Sequence, residues 1–229
     1  MTSLQKWGKS VRTTIPVMAG YLVLGAGFGI LLRTRGYGLG WALAMSAFIY
    51  AGSMQYVAID LLTGGASLLT TAVTTLLVNA RHLFYGISML ERYRAAGKYA
   101  PHLIFSLTDE TYSPVAALED LTGSDCFRIS LLYQLYWVLG TALGSLAGAY
   151  LDFNTTGIDF SLTALFLTVF TEQWLETKDH APALIGLGVS IVCRLLFGAD
   201  SFLLPTMGGM LCCLLVLDAR RTKKGGESV

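Results

Sequence analysis

The charged residues of this chain are spaced in a way that indicates membrane-spanning helices. Residues 13–32 and residues 36–59 contain no Asp, Glu, Lys or Arg, and most of their positions are apolar. An apolar layer about 30 Å thick is crossed by roughly 20 residues of helix. Each of these two uncharged stretches is therefore long enough to predict one membrane span.

Further apolar stretches follow, although several are shorter. They are residues 61–90, which contain Arg81 and His82, and residues 129–151, 160–171, 181–199 and 201–217. Because backbone groups in lipid must hydrogen-bond within the protein, these stretches predict helices or broken helices. The sequence thus predicts a single transmembrane domain over residues 1–229, an all-α integral membrane protein with about seven transmembrane helices, seven or eight, and broken helices near the midplane.

Three short segments of the first half recur in the second half in the same order. Such duplicated three-span units are a recurring plan of secondary transporters, although chance similarity between apolar segments is the alternative. The aligned pairs are Tyr21–Gly25 with Tyr136–Gly140, Phe48–Tyr56 with Phe166–Trp174, and Arg81–Phe84 with Arg194–Phe197; Gly29 falls on Gly144. They predict two three-helix repeats, residues 13–90 and 129–199, joined by a polar segment, 91–128, and followed by a last span, 200–217, and a tail, 218–229.

The polar segment 91–128 decides how the two halves are oriented. If it forms a re-entrant hairpin that does not cross, there are seven spans, the halves are inverted, and most basic residues lie in the cytoplasm, as the positive-inside rule favours. If it crosses as one more short helix, there are eight spans and both termini lie inside. We favour the inverted arrangement with seven spans, and the basic tail predicts a cytoplasmic C-terminus.

Composition agrees with a membrane protein and excludes several functions. Hydrophobic residues make up 54% of the 229 residues, charged residues only 14%, and the mean hydropathy is +0.58. The net charge of +1 gives no basic field for nucleic acid. The four cysteines lack the spacing of a metal site, and no phosphate-binding G-x-x-x-x-G-K-[ST] occurs. We therefore expect no cofactor, no metal, no nucleic acid and no ATP hydrolysis.

Polar side chains within apolar stretches are costly and usually line a cavity or pair with one another. Candidates for substrate binding are Ser53 and Gln55, Gln173, which aligns with Gln55, the pair Asn79 and Arg81, and Arg194, which aligns with Arg81. The guanidinium of Arg81 suits a carboxylate. The alternatives are that the glutamines only bridge helices, that Arg81 marks the end of a span, and that Arg194 pairs with Glu172.

Three further residues could exchange protons. His82 titrates near neutral pH, and Asp109 and Glu110 lie in the polar run Thr108–Tyr112. Carboxylates can also receive a substrate ammonium. A solvated loop is the alternative interpretation of this run.

These runs resemble the AzlC family, the large subunit of bacterial branched-chain amino acid exporters. Residues 50–56 are similar to the family's Y-A-G-x-x-Q-[FY], residues 81–86 to its R-H-x-[LF]-Y-G, and residues 107–110 to its L-T-D-E. The resemblance implies a multi-pass protein of the bacterial inner (plasma) membrane that exports valine, leucine, isoleucine or analogues, with a small AzlD-type membrane subunit as partner.

The resulting hypothesis is a secondary transporter, not an enzyme, with a cavity between the polar residues. Arg81 would hold the substrate carboxylate, an acidic residue its ammonium, and His82 or Asp109 would couple transport to protons. The competing hypotheses are an intramembrane enzyme, a non-transporting assembly subunit and, more weakly, a channel. An enzyme would need a nucleophile or metal set, which the sequence does not display at any recognisable spacing.

Overall fold

The computed structural model describes residues 3–117, 121–150 and 177–226, together with scattered positions between 157 and 175. The regular elements in this described part are helices, which agrees with the predicted all-α class. The chain divides into two compact units, Met1–Thr163 and Ala164–Val229. By length and composition, three described helices could each cross a membrane: Gln5–Thr34, Gly123–Tyr150 and Ala181–Gly198.

We number the helices of the described residues in chain order. They are α1 (Ser3–Thr34), α2 (Leu39–Phe48), α3 (Gly52–Thr63), α4 (Leu68–Val78), α5 (Ala80–Ala95), α6 (Ala100–Phe105), α7 (Asp109–Ala117), α8 (Gly123–Tyr150), α9 (Ala181–Ser201) and α10 (Leu203–Gly226). A short 3-10 turn, Gly97–Tyr99, precedes α6.

The long helices α1 and α8 form the centre of the first unit and touch backbone to backbone. A Cβ added to Gly25 would lie 2.8 Å from the carbonyl oxygen of Trp137, and one added to Gly140 would lie 2.6 Å from that of Leu22. Such small-residue seams let membrane helices approach closely. Farther along, Gly29 faces Gly144. The facing glycines are the same pairs that the sequence repeat aligns.

The order of these contacts shows that α1 and α8 run parallel. Gly25 faces Gly140, Gly29 faces Gly144, and near the helix ends Gly148 lies against Arg33. Contacts therefore advance in the same direction along both helices. Inverted halves would place their first helices antiparallel, so this packing contradicts the inverted arrangement that the charge distribution favoured. We call the side on which α1 and α8 begin the N-side, and the opposite side the C-side.

Residues 36–59, predicted as one span, instead form parts of two short helices that reverse direction. Helix α2 has 10 residues and α3 has 12, so they are about 15 and 18 Å long. Between them, Ile49, Tyr50 and Ala51 are not helical. The side-chain amide of Gln55 donates to the carbonyl oxygen of Met45, ten residues earlier, at 2.9 Å. Farther along α3, Tyr56 donates to the carbonyl oxygen of Leu24 and its ring contacts Phe28 on α1. Helix α3 therefore turns back along α2, toward the C-side.

Helices α4 and α5 continue one another and return to the N-side. They have 11 and 16 residues, about 40 Å together, and only Asn79 between them is not helical. At the far end, a Cβ on Gly123 of α8 would lie 2.7 Å from Ala96. The end of α5 therefore meets the start of α8. A stripe of exposed apolar residues on this pair suits a lipid-facing surface: Leu69, Leu76, Leu83, Ile87 and Leu90.

The segment 91–128 contains a second hairpin, which starts from the N-side. Helices α6 and α7 have 6 and 9 residues, so neither could cross a bilayer alone. The ring of His102 contacts Phe127 near the start of α8, whereas the ring of Phe105 stacks on Tyr50 at the tip of the first hairpin. Helix α7 then returns beside α5, where Tyr112 stacks on Tyr85 at 4.5 Å. The tips of the two hairpins thus meet inside the first unit.

The second unit contains α9 and α10, which lie antiparallel. Gly186 of α9 faces Met210 of α10, and Val189 faces Gly209. Helix α9 is kinked at Gly198, where φ is 73°. A positive φ costs glycine little and other residues considerably more.

Candidate functional site

Three helix breaks meet around the side chain of Arg81. Its Nη1 forms an ion pair with Oδ2 of Asp109 at 2.8 Å, and its Nη2 donates to Oγ of Ser53 at 2.9 Å. Each of the three residues lies in the first turn of its helix, α5 for Arg81, α7 for Asp109 and α3 for Ser53. Because helix N-termini carry positive partial charge, their convergence favours an anion at this place.

The ion pair lies at mid-depth of the unit and remains accessible. Arg81 is close to the middle of the rod formed by α4 and α5. The side chains of Arg81 and Asp109 are 33% and 32% exposed. Charges at this depth are costly unless they are paired. A pair that is both deep and open is suited to exchange one partner for a ligand.

Two acceptor oxygens beside the ion pair are buried without a hydrogen-bond partner among the described residues. They are Oδ1 of Asn79, at the break between α4 and α5, and Oδ1 of Asp109. Buried acceptors in native proteins are nearly always satisfied, so an orphan oxygen asks for an explanation. The hydroxyl of Tyr85 lies close enough to Asp109 to interact with its carboxylate. For Asn79, a ligand that brings an N–H donor would supply the missing bond.

Glu110 belongs to a second polar cluster, in which its hydrogen bond comes from α1 and not from α5. The hydroxyl of Tyr21 donates to Oε2 of Glu110 at 2.9 Å and lies 3.1 Å from Oγ1 of Thr108. Thr108 also starts α7: its Oγ1 accepts from the backbone N–H of Thr111 at 3.3 Å. This capping fixes the hairpin tip. The two neighbouring acids, Asp109 and Glu110, thus contact different helices.

Gln55 is fully buried, and both ends of its amide are satisfied. Its Oε1 accepts from Nε1 of Trp137 at 2.8 Å, and its Nε2 donates to Met45. Gly52 packs directly on the Trp137 ring. These contacts are those of the helix-bridging interpretation, and the role of Gln55 in substrate binding stays a prediction.

The other candidate residues are distributed as follows. Half-buried His82 lies next to the ion pair, with its Nδ1 3.2 Å from the carbonyl oxygen of Asn79. Arg194 is exposed on α9 in the second unit, and its guanidinium lies 5.4 Å from the ring centre of Phe202. Gln173 and Glu172 lie outside the described residues. The structure therefore brings Ser53, Asn79, Arg81, His82, Asp109 and Glu110 into one region.

Sequence reasoning missed Tyr21 and Trp137, which hold the two hairpin tips. Their rings contact each other edge to face, with centroids 5.5 Å apart. Each lies in a long apolar stretch where an aromatic residue draws no attention. Both residues could have been found from the polar O–H or N–H group that each carries in the middle of a span, because such a group requires a partner when it is buried.

Together, these features define a helical integral membrane protein with an accessible ion pair where broken helices meet. Comparison with known proteins gives the family. The family model described as AzlC protein matches residues 16–151. The chain belongs to the AzlC family, which confirms the resemblance noted from its motifs.

Several relatives match nearly the whole chain. The Bacillus subtilis (strain 168) protein named "Branched-chain amino acid transport protein AzlC" is 46% identical over 209 residues, 89% of this chain and 82% of that protein. A protein of Helicobacter pylori (strain ATCC 700392 / 26695) named "Uncharacterized membrane protein" is 42% identical and covers 89% of this chain and 91% of its own. The Escherichia coli (strain K12) "Inner membrane protein YgaZ" is 26% identical, covering 90% and 87%. No solved structure matches.

Proposed function

We propose that the protein is a secondary transporter of zwitterionic amino acids, not an enzyme, and that Arg81 and Asp109 bind the two charged ends of the substrate. The observation that carries this proposal is the accessible ion pair at the convergence of three helix N-termini. The name of the Bacillus subtilis relative supports the same substrate class.

The ion pair matches a zwitterion charge for charge. The substrate carboxylate replaces Asp109 on the Arg81 guanidinium, and the substrate ammonium replaces Arg81 on Asp109. Oδ1 of Asn79 and the carboxylate of Asp109 accept N–H bonds from the ammonium, which would satisfy the orphan oxygen of Asn79. The exchange is electroneutral, so no net charge is left uncompensated at mid-depth.

The side-chain preference follows from burial of the aliphatic group. Each methylene removed from water contributes about 0.8 kcal/mol, which favours valine, leucine and isoleucine over glycine. One methylene separates substrates only by about tenfold to a few hundredfold, so the three are not sharply distinguished.

We propose a corrected membrane topology for residues 3–150. Helices α1 and α8 and the α4–α5 rod cross the bilayer, whereas the hairpins α2–α3 and α6–α7 are re-entrant from the C-side and the N-side. The N-side carries many more bases than the C-side, which has Arg33 and Arg35; the N-side bases are Lys6, Lys9, Arg12, Arg92, Arg94, Lys98 and Arg128. The positive-inside rule then makes the N-side cytoplasmic.

The division into repeats over residues 13–90 and 129–199 remains part of this proposal, now with parallel halves, and Gln173 and Arg194 would be the equivalents of Gln55 and Arg81. The predicted cytoplasmic C-terminal tail conflicts with parallel halves followed by a last span over residues 200–217, because that order would place the tail outside. Location in the bacterial inner membrane, export from the cell, proton coupling through His82, Asp109 or Glu110, and a small AzlD-type partner are also proposals. They rest on the family resemblance and on the polar residues described above.

Transport by inside-out vesicles tests the function directly. Vesicles that contain the chain and its partner are expected to take up labelled valine, isoleucine or methionine, and Asp109→Asn should abolish uptake. Asp125→Asn is the matched control, because Asp125 forms an ion pair with Arg128 at the start of α8, away from the hairpin tips. If Asp109→Asn transports as well as Asp125→Asn, the proposed site is wrong.

A further inference from the structure

We infer that Glu110 is the residue that binds the coupling proton, separately from the substrate site at Asp109, and that Tyr21 is its positioning residue. This inference rests on the proposed function, which names three candidate proton groups, and selects one of them. It also assigns a role to a hydroxyl in the middle of α1 that sequence patterns did not single out.

The geometry separates the two acids although they are neighbours in sequence. Asp109 points to Arg81 on α5, whereas Glu110 accepts the hydroxyl of Tyr21 on α1. Tyr21 is only 4% exposed, so its hydroxyl depends on protein partners. A proton on Glu110 therefore leaves the Arg81–Asp109 pair intact, and a substrate on that pair leaves Glu110 intact.

Glu110 has no basic partner within ion-pair distance among the residues that the structure describes. The ion pairs found there are Arg81–Asp109 and Arg128–Asp125. The titratable groups that face Glu110 from the surrounding helices are neutral phenols and one imidazole: Tyr21 on α1, Tyr50 at the first hairpin tip, Tyr133 on α8 and His82 on α5. Glu110 is therefore the acid of this region that is held by a hydroxyl and not by a cation.

Proton binding acts on the hairpin tip through Tyr21. The ionised carboxylate accepts a charge-assisted hydrogen bond, which is stronger than a neutral one. When Glu110 binds a proton, the bond from Tyr21 weakens, and the tie between α7 and α1 loosens. The proton is taken up from one side of the membrane and released to the other as the tip changes position. Proton occupancy is thereby linked to the same hairpin that carries Asp109.

The test uses the full chain with its partner in proteoliposomes and two assays. The first measures exchange of labelled for unlabelled valine at equal pH on both sides, which needs no proton movement. The second measures valine transport driven by a pH gradient. Glu110→Gln keeps an acceptor for Tyr21 but cannot titrate, so we expect exchange to persist and gradient-driven transport to be lost. Glu110→Asp should restore part of the driven transport.

Tyr21→Phe provides an independent readout. Because the ionised carboxylate loses a donor, the pH dependence of driven transport should move to higher pH while exchange persists. Asp109→Asn should abolish both assays. If Glu110→Gln loses exchange as Asp109→Asn does, or keeps gradient-driven transport, Glu110 is not the proton site. If the unaltered protein exchanges no amino acid, the proposed function itself fails.

Discussion

The two hairpins meet tip to tip, but they are held by different kinds of interaction. The α2–α3 hairpin is fixed by neutral, buried hydrogen bonds: Gln55 to Trp137 and Met45, Ser46 to Thr141, and Tyr56 to the carbonyl oxygen of Leu24. The tip of α6–α7 is held by charged groups, Asp109 on Arg81 and Glu110 on Tyr21.

This difference indicates which hairpin responds to ligands. A neutral amide bridge is indifferent to pH and offers nothing to a zwitterion. A zwitterionic substrate can replace the partners of an ion pair, and a proton can bind to a carboxylate that has no cation beside it. We therefore expect α2–α3 to be a fixed wall and α6–α7 to be the element that changes position, and four substitutions would break or sharpen this comparison.

The largest effect is expected from Gly144→Leu, which would remove the support of both hairpins. Any Cβ at this position overlaps the backbone of Ala26 on α1. A leucine there cannot be accommodated without separating α1 from α8, so folded protein should be lost from membranes. The yield of monodisperse protein in size-exclusion chromatography measures this.

Gly20→Leu is the matched control for the glycine seam. Gly20 also lies on α1, but nothing lies within 4 Å of a Cβ placed there. It should give the yield of the unaltered protein. Equal yields from both leucine variants would contradict the close packing of α1 and α8.

Asp109→Asn should have the next largest effect, on ligand binding. The altered side chain would offer no negative charge to the substrate ammonium, and because the pair is about one third exposed the cost is at the lower end of the range for charge pairs, about 2 kcal/mol. Valine affinity, measured by ligand-dependent thermal stabilisation, should fall by a factor of about thirty or more, and Asp125→Asn should leave it unchanged. Equal affinity in the two variants would show that Asp109 does not bind the substrate.

Gln55→Leu should lower stability without changing ligand affinity. It leaves the Trp137 N–H and the Met45 carbonyl without their partner, which costs about 1–3 kcal/mol. The melting temperature in detergent should fall, whereas valine affinity of the folded fraction should persist. Gln134→Leu, which removes a longer bond of 3.4 Å to Ala47, should matter less. A pronounced loss of affinity would show that Gln55 itself takes part in substrate binding.

Ser53→Ala should have the smallest effect. It removes one hydrogen bond that orients the Arg81 guanidinium, so valine should bind less tightly, by less than about tenfold. Ser67→Ala is the control, because Ser67 caps α4 through the backbone N–H of Thr70 and has no contact with Arg81. Affinity that is equal in both variants would show that Ser53 does not orient Arg81.

The sequence predicted the long helices well because charge spacing reports directly on lipid-facing length. It predicted one span over residues 36–59 for the same reason, and this was wrong. An uncharged stretch of that length serves equally for one long helix or for two short buried helices, and only the local turn at Tyr50 and Ala51 distinguishes them. Inversion conflicts with the parallel packing of α1 and α8, because the charge argument counted residues 36–59 as one full crossing.

Sequence reasoning identified part of the candidate site. Arg81 and Asp109 stand out because ionisable groups in apolar stretches need partners, and the structure pairs them. That Asp109 and Glu110 face different helices depends on their positions around α7, which adjacency in sequence does not reveal. The bridging role of Gln55 depends on Trp137, which is far along the chain. Only tertiary packing brings these two side chains together.

The glycine seam has a mechanical consequence for any transport cycle. Where two backbones touch with no side chain between them, neither helix can slide or roll against the other without a collision or a gap. Helices α1 and α8 would then behave as one stiff beam through every stage of turnover. Spin labels at their ends should report a constant separation while labels on the α6–α7 tip report two.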